Sequence, residues 1–214
     1  MFLSPTGESQ GHGKSWENEI LNKLGVTNDI QKEYKHTDIY DGRKEHTITN
    51  RNLSIKTSKS MSLDCGDIIR FLTMCSDLDM IVIHYKQKMK KMKKAENTYL
   101  INYDKLIEKL KIDIQLIYDI TFEQWIEKIK EYDKCVKSIP HGKCNDKWYK
   151  LEKKNLCDKI PYFNIAPKVD SKSQRRVQCS INLNKINIDE TYDGGKFRDI
   201  AYMKDMISEP RKRN

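Results

Sequence analysis

Thr37-Asp38-Ile39-Tyr40-Asp41-Gly42 and, after residues 43–52, Leu53-Ser54-Ile55-Lys56-Thr57 are the stretches whose reading decides the fold. Both carry β-formers, and Asp41-Gly42 is a turn signal. Residues 33–57 are therefore expected to form a strand, a turn and a further strand. Side chains alternate along a strand, so Ser54 and Lys56 share one face and Leu53 and Ile55 the other. The turn would fold Asp38 back toward Ser54 and Lys56, while Asp41, just before Gly42, reads as the turn former. Upstream, Ser15 is a good helix N-cap, and Trp16, Ile20, Leu21 and Leu24 follow at helical spacing until Gly25 can stop the helix. At ~100° per residue Glu17 falls inside that apolar stripe, where a carboxylate is costly unless it is paired or binds a metal.

Working outward, residues 1–14 read as a loose, flexible leader, and Ser58–Asp67 as a polar loop. Residues 67–75 suggest a short helix. The apolar run Asp79-Met80-Ile81-Val82-Ile83-His84-Tyr85 predicts a buried strand, with residues 97–103 as its hairpin partner. Residues 104–137 predict helices, with Leu106, Ile107 and Leu110 on one face and Phe122, Trp125, Ile126 and Ile129 on another. Alternation of Val177, Cys179, Ile181 and Leu183 predicts a half-buried strand. A last helix would carry Ile200, Met203 and Ile207, before a basic tail at 211–214. This order predicts an α/β fold with a mixed central sheet flanked by helices. The organisation expected is one domain over residues 15–210, with a core at about 15–103 and a helical, ligand-recognising part at about 104–210.

Asp38, Lys56 and Glu17 can converge at one sheet edge, and that set suits phosphodiester hydrolysis. Such a reaction needs a divalent cation to neutralise the scissile phosphate and acidify a water, and hard oxygen ligands suit Mg²⁺. A lysine ammonium nearby can orient the water and stabilise developing charge. A Ser–Lys hydrolase using Ser54 and Lys56 is disfavoured, because nothing in the sequence provides an oxyanion hole or a nucleophile elbow.

Glu17, Thr37-Asp38-Ile39 and Leu53-Ser54-Ile55-Lys56 together resemble the PD-(D/E)XK nuclease superfamily, which includes many type II restriction endonucleases. The resemblance covers roughly residues 15–85. Thr37 stands where the family has proline, and Ser54 where an acidic residue is usual, which leaves Glu17 to share the metal. The resemblance implies a restriction-endonuclease-like core, with Asp38, Ser54, Lys56 and Glu17 catalytic and with Asp38, Ile55 and Glu17 holding Mg²⁺. It implies double-stranded DNA as substrate and, for a palindromic target, a homodimer. Other expectations kept open are a repair or structure-specific nuclease of the same fold and a non-catalytic basic nucleic-acid-binding module.

Charge agrees with a polyanionic partner. The 214 residues hold 40 Lys+Arg against 31 Asp+Glu, a net charge of +9. Of the 40, 32 are lysines, and the abundance of Lys, Ile and Asn is also what AT-rich coding would give. Lys86, Lys88, Lys90, Lys91, Lys93 and Lys94 would form a phosphate clamp on a hairpin tip. Arg175, Arg176 and Gln178 carry groups that read guanine and adenine edges, and Lys196 and Arg198 are further DNA-binding positions. Cys135, His141, Cys144 and Cys157 could supply four soft ligands to a structural Zn²⁺, but their spacing lacks a tight C-x₂-C pair, and unrelated thiols are the favoured reading. No stretch approaches ~18 uninterrupted apolar residues, so no membrane partner is expected. The N-terminal residues lack a basic and apolar secretory pattern, and the six widely spaced cysteines read as reduced thiols, so a cytoplasmic or nuclear location is expected.

Overall fold

The computed structural model describes residues 8–27, 29–30, 40–48, 50–73, 76–89, 92–138, 147–169, 175–186 and 207–208. The chain is mixed α/β and divides into two compact units, interleaved in sequence. The first comprises residues 1–60, 76–103 and 188–214, and the second 61–75 and 104–187. Segment 61–75, read from the sequence as part of the core at 15–103, thus belongs with the second unit, and 188–214 with the first.

In the first unit, α1 (Glu8–Lys23) precedes a 3₁₀ turn (Lys44–His46) and β1 (Asn52–Ser58). Helix α1 begins before Ser15, so residues 8–14 are helical rather than a loose leader. Gly25, just past the helix, has φ +90°, a left-handed conformation open to glycine at little cost. Strands β3 (Leu78–Met89) and β4 (Met92–Asn102) form the expected hairpin, longer than the apolar run alone indicated. Strand β1 runs parallel to β3, from Asn52↔Leu78 to Ser58↔His84, and β3 is antiparallel to β4. A short β7 (Ile207–Ser208) adds to β4, giving the order β1-β3-β4-β7. Ile207 therefore lies in a strand, not in the last helix expected; Ile200 and Met203 fall outside the described residues.

Period-two alternation sorts β1. Leu53 and Ile55 join Trp16, Ile20, Leu21, Leu24, Val26, Ile81 and Ile83 in one buried cluster between α1 and the sheet. Ser54, Lys56 and Ser58 take the opposite face. The start of β1 is fastened by polar contacts. Arg51 Nε donates to Asp79 Oδ1 at 2.9 Å and its Nη2 to the Leu78 carbonyl at 3.2 Å. Asn52 accepts from the Lys44 N–H at 3.0 Å and donates to the Ser76 carbonyl at 3.1 Å.

The second unit holds β2 (Ser62–Asp67), α2 (Ile68–Thr73), α3 (Tyr103–Tyr118), α4 (Phe122–Ser138), α5 (Lys147–Cys157), β5 (Phe163–Lys168) and β6 (Arg176–Asn182), though Tyr103 itself groups with the first. Residues 62–67 are thus a strand where a loop was expected. Its polar composition hid it, because only Leu63 is buried, while β6 supplies the apolar partners. The sheet is antiparallel, in the order β2-β6-β5. Trp125, Phe71 and Phe163 pack under it, with Trp125 Nε1 donating to the Leu156 carbonyl at 2.9 Å. Buried Asp133 on α4 accepts from the Val177 N–H at 2.8 Å, tying the helix to β6.

Among the described residues, no helix is long and apolar enough to cross a membrane. A Cβ on Gly42 would meet Leu21 at 3.2 Å, Thr47 at 3.3 Å and Val26 at 3.4 Å. Gly42→Ala is expected to destabilise the protein by about 1–3 kcal/mol, the usual cost of overpacking. Chemical denaturation checks this, and a change within error would contradict so close an approach.

Candidate functional site

Gly42 forms an antiparallel bridge with Leu53. The Leu53 N–H donates to the Gly42 carbonyl at 2.7 Å, and the Gly42 and Asp41 N–H groups donate to the Leu53 carbonyl at 3.2 and 2.8 Å. Asp41-Gly42 is therefore not the turn that the dipeptide suggested; it is a strand-like contact on the outer edge of β1. Glycine serves there because α1 comes close, not because a turn needs it. With Gly42 opposite Leu53, Asp41 stands opposite Ser54 and on the face of Ser54 and Lys56.

The ladder then gives way to side-chain bonding. Asp41 Oδ2 accepts the Ile55 N–H at 2.5 Å. The Ser54 hydroxyl also donates to this carboxylate, and Lys56 lies close enough to act on it coulombically. Ile55 turns its N–H to the same edge as Leu53, so its carbonyl shares that edge with the carboxylate. Burial is the largest influence on Asp41 and raises its pKa above the ordinary 3.8; the Lys56 charge, the Ile55 N–H and the Ser54 hydroxyl pull the other way without cancelling it. Ser54 is 4% exposed and Lys56 half-buried, so water screens the group poorly.

The carboxylate beside Ser54, Ile55 and Lys56 is Asp41, which the sequence reading took for a turn former. Asp38 lies outside the described residues. Glu17 is half-buried beside Trp16 on α1, the helix that covers the Leu53–Ile55 face rather than that of Ser54 and Lys56. One signal for Asp41 was available. Asp38 and Asp41 are an odd number of residues apart, so on one regular strand only one of them can share a face with Ser54 and Lys56.

Of the lysine clamp, Lys86, Lys93 and Lys94 have described side chains. Lys86 Nζ bonds Glu96 Oε1 at 2.8 Å. Lys93 is 6% exposed, donates to the Tyr85 hydroxyl at 3.2 Å and lies over its ring. Both sit within the hairpin strands, and the Lys86 side chain is 67% exposed. Lys94 is half-buried in β4. The side chains of Lys88, Lys90 and Lys91 lie outside the described residues, as do Lys196 and Arg198. Arg175, Arg176 and Gln178 are half-exposed, and Arg176 and Gln178 alternate with buried Val177 and Cys179 as expected. Their strand is the middle of its sheet, so their polar outward residues are not those of a free edge.

For the zinc quartet, His141 and Cys144 lie outside the described residues. Cys135 is exposed. Cys157 is buried, with its thiol bonded to the Phe163 carbonyl at 2.9 Å, and burial pushes its pKa up to about 12. Among the described residues no group of three or more His, Cys, Asp or Glu is placed to hold a metal.

No protein-family model, no curated protein and no solved structure matches the chain.

Asp41 makes stability depend on pH in a definite direction. Its folded pKa is raised, so through the window above 3.8 the folded state binds more protons than the unfolded, and stability falls as pH rises. At about pH 7 the wild type carries the cost of the ionised, partly desolvated carboxylate. Asp41→Asn keeps an acceptor for the Ile55 N–H without that cost. Its melting temperature at neutral pH should equal or exceed that of wild type, and the difference should close in acid. A loss of stability confined to neutral pH would contradict this.

Proposed function

We propose that this chain is a Mg²⁺-dependent endonuclease that hydrolyses phosphodiester bonds of double-stranded DNA, with Asp41 in the role that the sequence resemblance gave to Asp38. The observation that carries the reading is the Asp41 carboxylate held by the Ile55 N–H and the Ser54 hydroxyl beside Lys56. A parallel β1–β3 pair behind this edge suits a restriction-endonuclease-like core.

The donor set fits a hard cation. One carboxylate and one main-chain carbonyl are a usual protein share for Mg²⁺, with water and substrate phosphate completing the shell. Asp41 and Ile55 would hold the ion, which when bound supplies charge neutralisation at the scissile phosphate and acidifies water. Ser54 and the Ile55 N–H fix the carboxylate, so it does not have to reorganise when substrate arrives. Lys56, on the same face, orients the attacking water and stabilises charge developing on the phosphate. Arg176 and Gln178 are the groups proposed to read base edges, and a palindromic target would require a homodimer.

Plasmid digestion with Mg²⁺, with and without EDTA, tests the activity. Asp41→Ala and Lys56→Ala should each slow cleavage by at least ~10²-fold while leaving DNA binding intact, because phosphate contacts elsewhere hold the complex. Ser54→Ala should be milder, since a neutral hydroxyl only positions the carboxylate. Discrete fragments would indicate sequence choice, and a smear a repair-type nuclease. If wild type binds DNA but never cuts it with Mg²⁺, the basic module without catalysis takes the place of this reading. Normal cleavage by folded Asp41→Ala would reject Asp41.

A further inference from the structure

Strands β2 and β6 do not pair evenly. Asp64 lies opposite Ser180 and Gly66 opposite Cys179, so Cys65 is an extra residue bulged out of the ladder. Gly66 follows with φ +80°, a conformation that an L side chain rarely adopts, so the bulge depends on glycine at that position. The bulge sets Cys65 and Gly66 together against Cys179. Directly opposed residues have Cα atoms ~4.5–5.5 Å apart, inside the ~4.4–6.8 Å range that disulfides span.

The Cys65 and Cys179 thiols lie close enough to act on each other. Cys65 Sγ also lies 3.6 Å from the Leu63 carbonyl, and Cys179 Sγ 3.9 Å from that of Gly66. Both thiols are reduced. Their exposures differ, Cys65 being half-exposed and Cys179 buried within the alternation of Val177, Cys179 and Ile181. An accessible thiol backed by a buried one close by is the arrangement of an attacking and a resolving cysteine.

We propose that Cys65 and Cys179 form a reversible disulfide on exposure to a peroxide, stapling β2 to the middle strand of the sheet. The Cys65 sulfur attacks hydrogen peroxide, the O–O bond breaks, and a sulfenic acid and one water result. The Cys179 sulfur then attacks the sulfenic sulfur, the S–O bond breaks, and its thiol proton leaves with the oxygen as a second water. Two thiols are oxidised and one peroxide is reduced. The reaction begins at Cys65, because the Cys179 thiol is buried and the charges of Asp64 and Asp67 oppose its thiolate. A thiol reductant reverses the step by exchange.

The test uses the full chain. The folded protein is treated with hydrogen peroxide, its remaining thiols are alkylated, and it is digested with trypsin without reduction. Ser60–Arg70 and Val177–Lys185 each contain a single cysteine. Mass spectrometry should find these two peptides joined, lighter than their sum by two hydrogens, and separated again by dithiothreitol. Oxidised wild type should also unfold at higher denaturant than reduced wild type, a rise that Cys65→Ser abolishes. Recovery of both peptides as alkylated free thiols after oxidation would overturn the proposal. So would over-oxidation of Cys65 without linkage, or linkage of either cysteine to Cys135 instead.

Discussion

The hydrogen bond from the Ile55 N–H to Asp41 is the contact on which the account of this chain rests. It closes the outer edge of β1 at the point where the Gly42–Leu53 bridge ends. Desolvating a carboxylate is costly, and here that cost is offset only in part by a main-chain donor, a hydroxyl and a nearby ammonium. The group stays in place because β1 cannot shift. A slip by one residue would turn Leu53 and Ile55 away from α1 and bring Ser54 and Lys56 into the apolar cluster. The register that builds the core is therefore the register that assembles the site.

Gly42 shows how closely the two faces are linked. Its missing side chain lets Leu21 and Val26 of the α1 region approach one side of the edge segment, while Asp41 next to it serves the other side. The Arg51–Asp79 and Asn52 contacts hold the β1–β3 start, so that Ser54 and Lys56 project from a fixed strand. In the second unit the same alternation separates buried Val177, Cys179 and Ile181 from half-exposed Arg176 and Gln178. The bulge at Cys65 is the departure from regular pairing that brings two thiols together.

Much of the fold was legible in the sequence where periodicity was strong. The apolar run at 79–85, the alternation at 177–181 and the helical stripes at 106–129 each fell in the element they predicted, while Leu183 lies just past its strand. The failures have physical causes. Residues 62–67 bury one apolar side chain, so no pattern distinguishes their strand from a loop. The lysine-rich hairpin segment is strand because cross-strand pairing, not composition, decides it, and Lys93 is buried over Tyr85 despite its charge. Asp41-Gly42 carries the local signature of a turn, yet long-range packing by Leu21 explains the glycine. Ser54 and Lys56 were legible as one face from spacing alone. Their carboxylate partner was not, because a choice between Asp38 and Asp41 depends on a register that neither stretch encodes by itself.

The most direct measurement is a carbon-detected NMR titration of the Asp41 carboxyl group, with and without Mg²⁺. The account predicts titration above the ordinary aspartate value of 3.8 in the absence of the ion, and displacement to lower pH as Mg²⁺ competes with the proton. An Asp41 that titrates at the ordinary value and does not respond to Mg²⁺ would contradict it.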